Sequence, residues 1–206
     1  MNISQVKETL YKITNKINEE KDFLTELDNA IADGDHGMNL ARGFLAVEEM
    51  LKTSEDKDIG SIFKNVGMKL VSTVGGAAGP LYGTAFLRAA NAVNGKEEIT
   101  TEDFITCLEA AIEGVKFRGK STTGEKTMLD AMVPALNEMK KTYNETSDSK
   151  ASFESAVKAA YEGIEYTKTI AATKGRASYI GDRSIGHQDP GATSFTFILE
   201  TISKEL

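Results

Sequence analysis

A chain of 206 residues, 40% hydrophobic and 27% charged, has the composition of a folded globular protein and argues against a disordered tail or a coiled coil. Its net charge of −7 argues against a nucleic-acid partner, which would need a basic face, but not against a nucleotide whose charge a metal ion balances. The single cysteine, Cys107, excludes an intrachain disulfide and reads as a small buried hydrophobe on a helix face with Phe104, Leu108 and Ala111. With no apolar signal core at the N-terminus and no stretch of membrane-spanning length, the expectation is a cytoplasmic protein without a membrane partner.

Helical periodicity dominates from the first residues. Val6, Leu10, Ile13 and Ile17 share one stripe, as do Phe104, Leu108, Ile112 and Val115 further on. The spacing predicts eight helices, near 2–22, 37–53, 60–74, 80–94, 101–117, 125–141, 151–170 and 190–204. In the last, Ser194 to Ile198 alternates like a strand, but Asp189-Pro190 is a cap and first-turn pair and no other strand exists to receive it. The expected fold is all-α, in one domain spanning 1–206.

The connections near 54–59, 95–100 and 142–150 are polar spacers. The other four, near 28–37, 75–80, 118–125 and 171–190, hold most of the glycines and both histidines. They are the first, third, fifth and seventh connections, and in an up-and-down antiparallel array alternate connections emerge at the same end. One mouth of a helical bundle or barrel is therefore the expected site.

In the first of these, Asp28, Asp33 and Asp35 repel one another unless a cation or donors compensate. Gly34 and Gly37 allow a turn tight enough to aim Asp33 and Asp35 at one centre. Carboxylates without a zinc-type Cys or His set suit Mg²⁺ or Ca²⁺, and an EF-hand is excluded because its closing glutamate position is Phe44. Magnesium commonly completes its shell with phosphate oxygens, which points to a nucleotide; an acidic turn capping the second helix is the alternative. The Gly75-Gly76-Ala77-Ala78-Gly79-Pro80 run suits either anion binding at a helix N-terminus or close packing of helix ends. Arg118 to Thr127 imitates a Walker A loop, but Glu125 interrupts the Gly-Lys pair and no strand precedes it. It is read as a donor-lined loop, or one whose Thr123 or Thr127 caps a helix. The seventh connection offers Arg176 and Arg183 for phosphate, or for pairing with Asp182. His36 and His187 have no triad partner, so a hydrolase is not expected.

Taken together, Asp28 with Asp33-Gly34-Asp35-His36-Gly37, Gly75 to Pro80, Gly175 to Tyr179 and Gly186-His187-Gln188-Asp189-Pro190-Gly191 resemble the nucleotide-binding L subunits of bacterial dihydroxyacetone kinases. The resemblance runs over nearly the whole chain. It implies an eight-helix antiparallel up-and-down barrel with the nucleotide at one end. By position, Asp28, Asp33 and Asp35 would hold two Mg²⁺ ions. His36, Gly37, Met38, Asn39, Ala77, Ala78, Gly119, Met128, Arg176, Asp189, Pro190 and Gly191 would surround ADP or ATP, and Arg176 would be the catalytic cation. Ala78 departs from relatives that carry a hydroxyl there, leaving that phosphate contact to the backbone.

The phosphoenolpyruvate-dependent type keeps ADP as a coenzyme. A phosphohistidine phosphotransferase protein recharges it, and the γ-phosphoryl passes to dihydroxyacetone held on a separate K subunit. In the other type ATP exchanges and the halves are fused; a chain that stops at Leu206 without a substrate half favours the first. The related fatty-acid kinase domain usually has Thr where His36 stands. A non-catalytic nucleotide-binding regulator, or a scaffold whose loops bind only protein, is the competing class, and self-association as a homodimer is left open.

Overall fold

The computed structural model describes residues 1–206. Nine α-helices and one 3-10 helix make up the fold: α1 (Ile3–Glu19), α2 (Lys21–Ile31), α3 (His36–Thr53), α4 (Ile59–Thr73), α5 (Ala78–Ala92), α6 (Thr101–Gly119), α7 (Leu129–Thr146), α8 (Ser149–Thr169), the 3-10 helix (Arg176–Ser184) and α9 (Pro190–Ser203). There is no sheet, only an isolated bridge between Asn2 and Glu98. Local chemistry sets the helix starts. Asn2 with Gln5, and Thr100 with Asp103, form reciprocal capping boxes, while Asp58, Asp148 and Asp189 each accept an amide of the first turn.

The predicted stripes face inward. Val6, Leu10, Ile13 and Ile17 are all buried and belong to a single apolar cluster of 41 buried residues. Packing runs from α1 to α3, then in chain order through α9, which returns to α1; the neighbours therefore form a closed ring. The extra helix α2 lies outside that order, against α3, α9 and the 3-10 helix. Cys107 is buried, its thiol pushed up to about 12 by burial, as expected of a packing residue.

Three boundaries differ from the sequence reading. The segment expected to be one helix to residue 22 breaks at Glu20, and a second helix carries the chain to Ile31. The buried stripe of α2 is Leu24, Asp28 and Ile31, so a carboxylate stands where the periodicity needs an apolar residue. Helix α7 begins at Leu129 rather than 125, because Gly124 and Lys126 both take positive φ. It then continues through the polar residues 142–146, leaving only Ser147 and Asp148 before α8 instead of an extended spacer.

Helices α7 and α8 cross closely at Gly163, where a Cβ would stand 2.2 Å from the Asp130 carbonyl oxygen and 2.8 Å from Ala131 Cα. Alanine normally gains about 1 kcal/mol over glycine inside a helix. Here the obstacle is backbone that moves only with its whole helix, an overpacking cost at the upper end of about 1–3 kcal/mol. Gly163→Ala is therefore expected to lower the unfolding free energy by about 2 kcal/mol in urea titration.

Candidate functional site

The four glycine-bearing connections meet around one cavity of about 550 Å³. Its wall is built from residues 28–36, 75–82, 115–128, 174–177 and 189–191. Asp28 sits on the last turn of α2, the chain turns at Gly34 (φ +69), and α3 starts at His36. Asp28 Oδ2 accepts the backbone N–H of Asp35 at 2.9 Å and of His36 at 3.2 Å, satisfying amides that the start of a helix leaves free. One carboxylate oxygen from each of Asp28, Asp33 and Asp35 lies within 4.8 Å of the others. At that range each pair of charges repels by roughly 3 kcal/mol at an effective dielectric near 20. The fixed cation against this cluster is Arg176, whose guanidinium pairs with Asp33.

On the connection before α5, Gly76 (φ +64) lies so near the acids that a Cβ there would meet Asp35 Oδ1 at 3.7 Å. No side chain caps α5 at Ala77, so its first amides remain for a ligand or water. At the back, Asp189 caps α9 by accepting Ala192 N–H at 2.7 Å. Its acid is pushed up to about 7, chiefly by burial and further by Asp130 and Asp28, with Lys126 opposing. His36 Nε2 lies 2.9 Å from Ser194 Oγ, which is 2.7 Å from the Tyr82 hydroxyl. Burial lowers the affinity of that imidazole for a proton, against the pull of Asp28 and Asp35.

Of the residues singled out in the sequence, Asp28, Asp33, Asp35, His36, Ala77, Ala78, Gly119, Met128, Arg176, Asp189, Pro190 and Gly191 line this cavity. Gly37, Met38 and Asn39 do not. Gly37 is buried where α3 starts against α2, and a Cβ would meet the Lys21 carbonyl oxygen at 2.0 Å. Met38 is 53% exposed, and Asn39 holds Arg42 at 2.7 Å. Arg183 is exposed and away from the lining, so of the two loop arginines only Arg176 reaches the cavity. Thr127, not Thr123, assists the start of α7, accepting Leu129 N–H at 3.3 Å.

Two buried polar residues at the start of α7, Lys126 and Asp130, carry no signal in the sequence. Asp130 accepts Gly124 N–H at 2.5 Å and Thr127 N–H at 2.8 Å, and Lys126 is 2% exposed. Both read as ordinary polar residues of a helix start; only their burial marks them.

Residues 30–204 match the DAK2 domain. The chain belongs to the DAK2 domain family. It is 45% identical over 184 residues to the ADP-binding subunit of the PEP-dependent dihydroxyacetone kinase of Escherichia coli (strain K12), covering 89% of this chain and 88% of that one. It is 44% identical over 195 residues to the ADP-binding subunit of the PTS-dependent dihydroxyacetone kinase of Lactococcus lactis subsp. lactis (strain IL1403), covering 95% and 93%. The crystal structure of the dihydroxyacetone kinase from C. freundii in complex with AMP-PNP and Mg²⁺ superposes with a TM-score of 0.76 at 22% identity, over 100% of this chain and 34% of that one. That likeness establishes the all-α fold, and the DAK2 membership bears out the resemblance carried by the motifs. No helix is long and apolar enough to cross a membrane.

Proposed function

We propose that this chain is the ADP-binding subunit of a phosphoenolpyruvate-dependent dihydroxyacetone kinase, acting as one domain in the cytoplasm. It holds Mg-ADP or Mg-ATP as a coenzyme and passes the γ-phosphoryl to dihydroxyacetone on a separate K subunit; a phosphohistidine phosphotransferase protein recharges it. The observation that carries the reading is the convergence of three carboxylates, an uncapped helix start and Arg176 on one cavity. The names of the full-length relatives support the subunit assignment.

The donor set fits magnesium: three hard carboxylates, one on the last turn of α2 and two on the glycine-bearing turn that follows it, their oxygens within 4.8 Å, with no thiolate or imidazole completing a zinc shell. Asp28, Asp33 and Asp35 would hold two Mg²⁺ ions, which when bound neutralise phosphate charge. The start of α5 at Ala77 and Ala78 lines the cavity without a side-chain cap, so its amides would be free to meet the phosphates. Gly119, Met128 and Asp189 to Gly191 line the same cavity, and His36, fixed through Ser194, stands beside the acids. Arg176 brings a charged planar fork to the transferring group and needs no covalent chemistry to do so.

Nucleotide released by denaturing freshly purified protein is expected to be ADP at one equivalent, identified by mass. Protein without nucleotide, and without a thermal shift on adding Mg-ADP, would overturn the assignment. A chain that binds Mg-ADP but yields no dihydroxyacetone phosphate with a K subunit and phosphoryl donor would instead be a regulator.

A further inference from the structure

Lys126 is a costly residue for its place. Its side chain is 2% exposed and its backbone takes φ +60, the left-handed region that ordinary L-residues pay about 1–2 kcal/mol to enter. Its ammonium donates to the carbonyl oxygens of Thr167 at 2.5 Å and Ile170 at 3.4 Å, and to that of His187. All three partners are backbone carbonyls; none is a carboxylate. Burial pulls the ammonium below its usual range, with Asp189 and Asp130 opposing. Where only packing is required, an apolar side chain of the same volume avoids these costs.

What the three carbonyls share is position. Thr167 and Ile170 end α8, where the helix dipole is negative, and His187 immediately precedes the Gln188 to Gly191 segment that opens α9. Lys126 itself belongs to the fifth connection and lines the cavity with Thr127 and Met128. One side chain thus joins the fifth connection, the end of α8 and the seventh connection. Asp189 N–H donating to Thr167 Oγ1 at 3.0 Å, and Gly186 N–H to the Lys168 carbonyl at 2.8 Å, complete the same seam.

We propose that Lys126 is a positioning residue for the nucleotide, holding the Asp189 to Gly191 wall in register with Met128 and Gly119 through the three carbonyls it binds. The inference rests on the nucleotide reading above. Because it acts on the geometry of the wall, losing it weakens binding beyond any loss of global stability. By linkage, bound nucleotide must hold the tether closed by the same factor by which the tether favours binding.

Mg-ADP titration calorimetry on nucleotide-stripped wild type, Lys126→Met and Phe153→Leu tests it. Phe153 is buried near the opposite end of α8, about 20 Å from Thr167 by helical rise, and reports the effect of lost stability alone. Lys126→Met is expected to raise Kd by about tenfold or more, the scale of a displaced binding wall, and Phe153→Leu by less than about twofold. A Lys126→Met Kd within twofold of wild type, or matched by Phe153→Leu, overturns the proposal. Wild type that binds no Mg-ADP removes the nucleotide reading itself and the tether's role with it. If Lys126→Met does not fold, the wild type decides. Acylation of Lys126, followed by mass spectrometry, should slow on adding Mg-ADP by more than the amide exchange of the α1 core slows; equal slowing overturns the proposal.

Discussion

Asp35→Asn and Asp33→Ala are each expected to abolish magnesium-dependent retention of ADP, raising Kd about 100-fold or more while far-UV circular dichroism is unchanged. The size follows from the geometry: three carboxylate oxygens within 4.8 Å of one another are close enough to share bound cations, and on the proposed reading removing one of them takes a ligand from the metal that ties down the phosphates. Stability behaves differently. Without a cation the three acids repel one another, so neutralising Asp35 relieves strain and the nucleotide-free thermal midpoint should not fall. Asp33 forfeits its pair with Arg176, but both side chains are more than a third exposed, and such pairs contribute only about 0.2–1 kcal/mol. Asp28 is not a clean test, because its carboxylate also holds the first amides of α3. Titration with Mg-ADP, repeated in chelator, checks the expectation; unaltered affinity in both variants would remove these acids from the site.

Arg176→Met is expected to lower phosphoryl transfer to dihydroxyacetone about 1,000-fold, with ADP affinity changed by less than about tenfold. Arg176 is the loop arginine whose side chain reaches the cavity, and its guanidinium already lies beside Asp33. A cation that acts chiefly on charge spread over the transferring group contributes more to the transition state than to the bound nucleotide. Arg176→Lys should recover part of the loss, since a point charge remains while the bidentate fork does not. Turnover with a K subunit and a phosphoryl donor, measured beside ADP titration, separates the two effects. Equal losses in binding and turnover would make Arg176 a binding residue only.

Most of the helical framework was legible in the residues because helix formation is local. A stripe such as Val6, Leu10, Ile13 and Ile17 repeats every turn, and caps such as Asp58 and Asp189 act within three residues of themselves. The motifs around Asp33-Gly34-Asp35 and Gly75 to Pro80 were visible for the same reason: a tight turn and a stretch without side chains are properties of neighbours in sequence. Tertiary structure decided the rest. Asp28 interrupts the stripe of α2 because its partners are amides seven and eight residues away, a pairing that helical periodicity does not report. Gly37 serves the α2–α3 packing rather than the cavity, and Arg176 rather than Arg183 faces it. Lys126 binds carbonyls 41, 44 and 61 residues away, and no local pattern encodes a hydrogen bond between segments that meet only after the helices have packed side by side.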